Sequence, residues 1–427
     1  LGPLAEAGRE LGLRAARHYA ASARRASDRS DDRAAATLFR HVADLLPEGH
    51  PDRPRALYDV GRASLRGLEP PVAFAALDGA VAAAAASGQR SIEWMARIDR
   101  ATVQTLIDPI GFTTDDLRAE LAAARAELES GDDEEALTVL WFGLVQVEWM
   151  PCRFDAAREA AIRAVEHARR TGDRSLVMDA TTLRLAAELL GSTSPAEGWP
   201  SIEEAVTEFG RDGLIGHVVT VHEACLHAMT GDFARAREGI REAKALAERF
   251  GSQLWASAIY EFGGHIEEMA GDQEAAERSF RDEYELLGRM GDEGHGSTSA
   301  AYLAVVLCRL GRFDEAEELA TIAHTTGADD DLATQASVCS AQAWVRSARG
   351  EHEEARRLAQ EAVDLYAGAQ SPWFHGDVLM VLSEVSRAAG LREEAAEAAR
   401  AAMAAYERKG HEPGMASARA SIGISSR

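Results

Sequence analysis

Two short stretches of this chain carry residue types that could do chemistry. Gly291-Asp292-Glu293-Gly294-His295-Gly296-Ser297-Thr298 has the glycines and final hydroxyls of a phosphate-binding loop. A P-loop needs a lysine after its last glycine to reach the phosphates, and a strand leading into it. Ser297 stands where the lysine should be, and no strand pattern precedes the segment. It reads as a loop between repeats. His222-Glu223-Ala224-Cys225-Leu226-His227 nearly spells a zinc-protease helix, but the second histidine comes one residue late. Residues five apart on a helix point roughly 140° away from each other, so the two imidazoles cannot share a metal ion. Cys152, Cys225, Cys308 and Cys339 are scattered with no CxxC pair, which removes zinc-ribbon and thioredoxin readings. No catalytic, cofactor-binding or metal-ligating residue is assigned, no cofactor is expected, and the chain is not expected to be an enzyme.

The elements around these stretches are helices. Hydrophobic residues make up 46% of the 427 but aromatic ones only 6%, alanine supplying much of the rest. Alanine with abundant Glu, Arg and Leu favours closely packed helices, and no alternating β-branched runs suggest a sheet. The apolar stretch from Val72 to Ser87 contains Asp78 and is mostly alanine, so it is expected to be a buried helix and not a membrane span. Gly263-Gly264-His265 interrupts a helical pattern, where small residues would let a neighbouring helix approach. Most of the seven tryptophans (Trp94, Trp141, Trp149, Trp199, Trp255, Trp344 and Trp373) are expected in the core, with Trp199 and Trp373 at exposed, loop-like places.

A repeat organises these helices. Gly231, Gly271, Gly311, Gly350 and Gly390 lie 40, 40, 39 and 40 residues apart, each between two apolar helical patterns. Glycine can take the left-handed conformation that ends a helix. Five residues after each glycine stands an alanine, namely Ala236, Ala276, Ala316, Ala355 and Ala395, where the two helices of a pair would touch most closely. The phase continues towards the N-terminus through Gly191, Cys152, Gly111, Gly67 and Ser30. The segment from Gly191 to Pro200 reads as a loop insertion.

The expected fold is all-α: an α-solenoid of about ten tetratricopeptide-like helix pairs in a right-handed superhelix. One repeat domain spans 1–427, with stronger repeats over 213–410, weaker N-terminal repeats over 10–212 and a C-terminal cap over 411–427. One pair cannot bury its apolar face alone, so neighbours stack and leave a concave and a convex surface. First helices, including Gly216–Met229, Ser257–Met269 and Ser299–Arg309, should border the concave groove.

Seventy acidic residues against 46 basic ones give a net charge of −24. Arginines interleave with glutamates, as in Arg235, Arg237, Glu238, Arg241 and Glu242, which marks a solvated helix face. A nucleic-acid binder would show a basic stripe instead. No nucleic-acid or membrane partner is expected. The opening residues lack a basic segment leading into an apolar core, so no secretory signal and a cytoplasmic setting are expected. The missing initiating methionine suggests a piece of a longer chain.

The turn signatures resemble the tetratricopeptide repeat, lengthened to about 40 residues. Three longer stretches resemble, in order, the C-terminal repeat region of bacterial (actinobacterial-type) signalling proteins that join an adenylate/guanylate cyclase domain to an AAA/STAND ATPase. They are residues 12–53 (GLRAARHYAASARRASDRSDDRAAATLFRHVADLLPEGHPDR), 330–366 (DDLATQASVCSAQAWVRSARGEHEEARRLAQEAVDLY) and 402–420 (AMAAYERKGHEPGMASARA). Related arrays occur in LuxR-type regulators. The resemblance implies a non-catalytic interaction and sensory scaffold, whose partner is a protein, a peptide or a neighbouring domain of the parent chain. A free-standing adaptor is the alternative.

Overall fold

The computed structural model describes residues 3–27, 31–67, 69–108, 111–211, 214–250 and 253–423. Among them are twenty-one α-helices, one short 3-10 turn and no strand. The helices run in pairs. The first are α1 (Pro3–Ser27) with α2 (Asp32–Leu45), α3 (Arg53–Arg66) with α4 (Pro70–Ser87), and α5 (Arg90–Ile107) with α6 (Thr114–Leu128). Next come α7 (Glu134–Trp149) with α8 (Phe154–Thr171), and α9 (Arg174–Leu190) with α10 (Pro195–Phe209). They are followed by α11 (Leu214–Met229) with α12 (Phe233–Phe250), and α13 (Gln253–Ala270) with α14 (Gln273–Met290). The last pairs are α15 (Glu293–Arg309) with α16 (Phe313–Thr326), α17 (Leu332–Ala348) with α18 (His352–Leu365), and α19 (Pro372–Ala388) with α20 (Arg392–Lys409). A single helix, α21 (Glu412–Ile422), follows. The protein is an α-solenoid of tetratricopeptide-like pairs.

The turn chemistry explains the pairing. Gly231, Gly271, Gly311, Gly350 and Gly390 have φ between 76° and 82°. At Gly231 the glycine N–H donates to Ala228 O at 2.9 Å, and the next N–H, from Asp232, reaches back to His227 O at 2.8 Å. The other four turns repeat this double closure of the helix end. Aspartates open two of the helices after these turns: Asp232 accepts from the Arg235 amide at 3.2 Å and Asp272 from the Ala275 amide at 3.0 Å. Ala236, Ala276, Ala316 and Ala355 are completely buried and Ala395 nearly so. Cys152 holds the corresponding turn between α7 and α8 and has φ 51°, alone among described non-glycine residues in being left-handed. Gly67, Gly111 and Gly191 also lie between the helices of a pair, and none of them has positive φ. Ser30 lies outside the described residues.

Close approach also explains an internal glycine. A Cβ on Gly264 of α13 would stand 2.6 Å from the ring of Phe280 on α14, so only hydrogen fits there. By the same logic, Ala316→Phe and Ala355→Phe should each cost about 1–3 kcal/mol or more through overpacking. Thermal unfolding of both variants measures this, and unchanged midpoints would refute the register of the pairs.

Several expectations are corrected. Asp292 accepts from the His295 amide at 3.1 Å and caps α15, so Glu293 to Thr298 is helix, not loop. Residues Pro195 to Pro200 form the first turns of α10, capped by Ser194 and Glu197, which leaves 191–194 as the only loop there. Helix α4 buries one face through Ala73, Ala76, Leu77, Ala80 and Ala84 and leaves the other to solvent, so it is not wholly buried. It is also the one described helix long and apolar enough to cross a membrane. Trp94 and Trp373 are buried, while Trp141, Trp149, Trp199 and Trp344 are half-buried. The Trp255 side chain lies outside the described residues.

Contacts fall into two compact units. The first is Leu1–Gln104, Asp115–Leu144 and Arg163–Ala180; the second is Thr105–Thr114, Val145–Ile162 and Thr181–Arg427. In the first, Ala23, Ala35, Phe39, Val42, Val60 and Ala63 make a core between α1, α2 and α3. Its polar side holds an ion network. Arg55 makes a two-pronged contact with Glu135 at 2.6 and 2.9 Å and meets Asp59 at 2.8 Å, while Arg66 reaches Asp179 at 3.0 Å. In the second unit, Ala300, Leu303, Ala304, Leu307, Ala320 and Val338 belong to a continuous core between successive pairs.

Candidate functional site

The second unit closes on itself. The Leu332 amide donates to Met150 O at 3.1 Å and the Gln370 amide to Cys152 O at 2.9 Å. Ser371 Oγ donates to Leu190 O at 2.8 Å. Lys409, fully buried at the end of α20, donates to Glu188 O at 3.1 Å, Gly191 O at 2.8 Å and Thr193 O at 2.7 Å. Those carbonyls stand at the C-terminal end of α9, where the helix dipole attracts a cation. Burial nonetheless pulls the ammonium down to about 7. Residues some 220 positions apart are thereby joined within the second unit.

This closure brings α19, α20 and α21 opposite α13 and α15. His265 of α13 sits in an aromatic nest, with ring centroids 5.1 Å from Phe280, 4.7 Å from Tyr302, 5.3 Å from Trp373 and 5.7 Å from Phe374. Beside it lies a chamber of about 400 Å³, bordered by α13, the start of α14, α15, α19, the end of α20 and α21. Its polar wall is Glu268, Arg309, Asp377 and Glu384. Arg309 reaches in from the rim and meets Glu268 at 3.2 Å. Tyr406 donates its hydroxyl to Asp377 at 2.6 Å, and Trp344 donates its indole N–H to Glu384 at 3.1 Å. Burial pushes the Asp377 carboxyl up to about 6, and Glu384 is raised for the same reason. Glu268 is held below the ordinary range by its His265 and Arg309 partners, against the opposing effect of burial. On α13 and α14, burial raises the Glu261 and Glu283 carboxyls, and Glu283 is 96% buried with one oxygen lacking a partner.

Of the segments singled out from sequence, those on α13 and α15 supply His265, Glu268, Tyr302 and Arg309 to this groove. The α11 segment does not reach the chamber; its His222 is buried and bonded to Val218 O at 2.7 Å. His227 packs against the Trp199 ring with centroids 5.0 Å apart. Among the described residues no cluster of three or more His, Cys, Asp or Glu side chains has metal-binding geometry. The repeat alanines and glycines lie in turns and helix interfaces, away from the chamber wall except for Gly271. Sequence reasoning missed Trp373, Asp377, Tyr406, Lys409 and His411. Their one signal was an aromatic, acidic and histidine-bearing character unusual for the last helices of an alanine-rich array.

Paired helices, left-handed turns and a continuous inter-pair core define the class: an α-solenoid of the tetratricopeptide type. No protein-family model matches the sequence, and no curated protein matches it significantly. Solved structures do match. A Rap protein complexed with Competence and Sporulation Factor superposes with TM-score 0.64 at 13% identity, over 85% of this chain and 99% of that one. The Cut9–Hcn1 hetero-tetramer of the APC/C gives TM-score 0.55 at 14% identity, over 92% of this chain and 76% of that one. A signal-transduction ATPase with a tetratricopeptide repeat sensor from Pyrococcus horikoshii reaches only 0.46 at 12% identity, over 91% and 65% of the two chains. At such identities the likeness shows the fold alone.

Proposed function

We propose that this chain is a non-catalytic sensory and interaction scaffold that receives a peptide or a protein segment in the inner groove of its second unit. The observation that carries this reading is the chamber itself, walled by acidic and aromatic side chains of α13, α19 and α20 together with Arg309 of α15 and His411. A cleft of about 400 Å³ lies within the range of ligand sites, about 300–1,000 Å³, and its charged and aromatic lining suits polar side chains of a peptide segment. The Rap protein of similar fold was solved in complex with Competence and Sporulation Factor, which favours a bound partner for this chain. Resemblance over residues 12–53, 330–366 and 402–420 supports the finer reading: the regulatory region of a larger ATPase or nucleotide-cyclase signalling protein in the cytoplasm. Sensing in a LuxR-type regulator, or work as a free-standing adaptor, are the alternatives. The interleaved charges support neither a nucleic-acid nor a membrane partner.

The test compares charge reversal in the groove with equal reversal on the convex second helices. Asp377→Arg should abolish the response of the intact parent protein to its ligand, whereas Glu317→Arg and Glu354→Arg should leave it unchanged. A response altered only by the convex pair would sink the groove reading.

A further inference from the structure

The chamber has an unbalanced polar wall. Glu268, Asp377 and Glu384 face it with Arg309 as the one cationic side chain among its lining residues. An acidic cluster alone says little, but two histidines in the same wall carry more. His265 and His411 are 95% and 97% buried, both line the chamber, and both have an Nε2 without a hydrogen-bond partner.

Their tautomers follow from their other nitrogens. His265 Nδ1 lies 3.2 Å from a Glu268 carboxylate oxygen, so in the neutral ring Nδ1 carries the proton and Nε2 is left as an acceptor. His411 Nδ1 accepts the Gly414 amide at 2.9 Å, so its Nε2 carries the proton and is left as a donor. The wall thus offers an unpartnered acceptor on His265 Nε2, an unpartnered donor on His411 Nε2, and the lone pairs of Glu268 and Asp377 beyond those taken by Arg309, His265 and Tyr406. Leaving the two imidazole Nε2 atoms unpaired is costly. A group bearing several N–H donors and positive charge would satisfy the acceptors together. Trp373 and Tyr406 add aromatic surface of the kind that attracts cations.

We infer that the chamber receives a cationic nitrogen of a peptide ligand, a guanidinium or ammonium group set among Glu268, Asp377 and His265, with a carbonyl oxygen of the same ligand accepting from His411. This rests on the groove reading above and names the chemistry of its ligand. The cation has two sources, a basic side chain or the ligand's amino terminus, and the test separates them.

Three probes are titrated into the whole chain by calorimetry or ligand-observed NMR: N-acetylarginine amide, its neutral isostere N-acetylcitrulline amide, and alaninamide. The charged arginine probe is expected to bind at least about tenfold tighter than the citrulline probe, the discrimination given by about 1.4 kcal/mol. Asp377→Asn, which keeps an acceptor for Tyr406, and Glu268→Gln should each remove most of that preference, with helix content by circular dichroism unchanged. Glu354→Gln on the convex face should keep it. Alaninamide binding with the same dependence on Asp377 and Glu268 would assign the amino terminus as source and support the inference. Equal binding of arginine and citrulline probes without binding of alaninamide, a preference that survives both groove variants, or no binding of any cationic probe would overturn it. Equal binding lost in the groove variants would defeat the cation while leaving the groove reading intact.

Discussion

Lys409→Met should destabilise the second unit by about 3 kcal/mol or more, the largest loss expected of any single side-chain truncation here. The ammonium is completely buried and satisfies three carbonyl oxygens at distances of 2.7 to 3.1 Å. Methionine fills similar volume but donates nothing, so Glu188 O, Gly191 O and Thr193 O would lose their charged partner in a dry environment. Hydrogen bonds to charged groups contribute about 1.5–3 kcal/mol each, and removing one member of a buried charged set costs about 3–5 kcal/mol. Neighbouring Arg408 is exposed and bonds only Ala404 O at 3.4 Å, so Arg408→Met should change stability by less than about 0.5 kcal/mol. Urea unfolding of both variants decides. A Lys409→Met midpoint equal to that of Arg408→Met would show that the α20–α9 clasp contributes nothing.

Acid should loosen the same unit through two buried histidines. Burial lowers both His222 and His411 to about 4, against an ordinary 6.5. Between those values the unfolded chain binds a proton at each site and the folded chain does not. Stability therefore rises with pH across the window and falls as pH drops from 6.5 towards 4. Each histidine accounts for a loss of about 3 kcal/mol at the acid end. Asp377, Glu261 and Glu283 act oppositely, because their raised carboxyls hold protons in the folded state at pH values where the unfolded chain releases them. The clean readout is consequently a difference between proteins. His222→Leu and His411→Asn, the latter keeping an N-cap for α21, should each show a shallower acid loss than the parent chain. Superimposable pH profiles would refute the neutral burial of these rings.

The chain itself determined its helices, their pairing and their phase. A glycine that must be left-handed and an alanine that must be small recur at a fixed offset, as at Gly311 and Ala316, and both demands are local to one turn or one helix contact. Local rules misjudged Glu293 to Thr298 and Pro195 to Pro200, where Asp292 and Ser194 caps carry helix into glycine- and proline-bearing segments. The chemistry of the groove was not legible in the same way. His265 is an ordinary residue within its own helix; it becomes part of a wall only because Trp373, Asp377 and His411 arrive about 110 to 150 residues later in the chain. That meeting depends on the spiral's curvature, the sum of small rotations between neighbouring pairs, which no single turn encodes. Tertiary structure alone decided that Lys409 would clasp the end of α9, that Trp373 would be buried and not exposed, and that two imidazoles would be left with unpaired nitrogens beside three carboxylates. Repetition sets the path of the chain from nearest-neighbour contacts, whereas closure brings together residues that no nearest-neighbour rule relates.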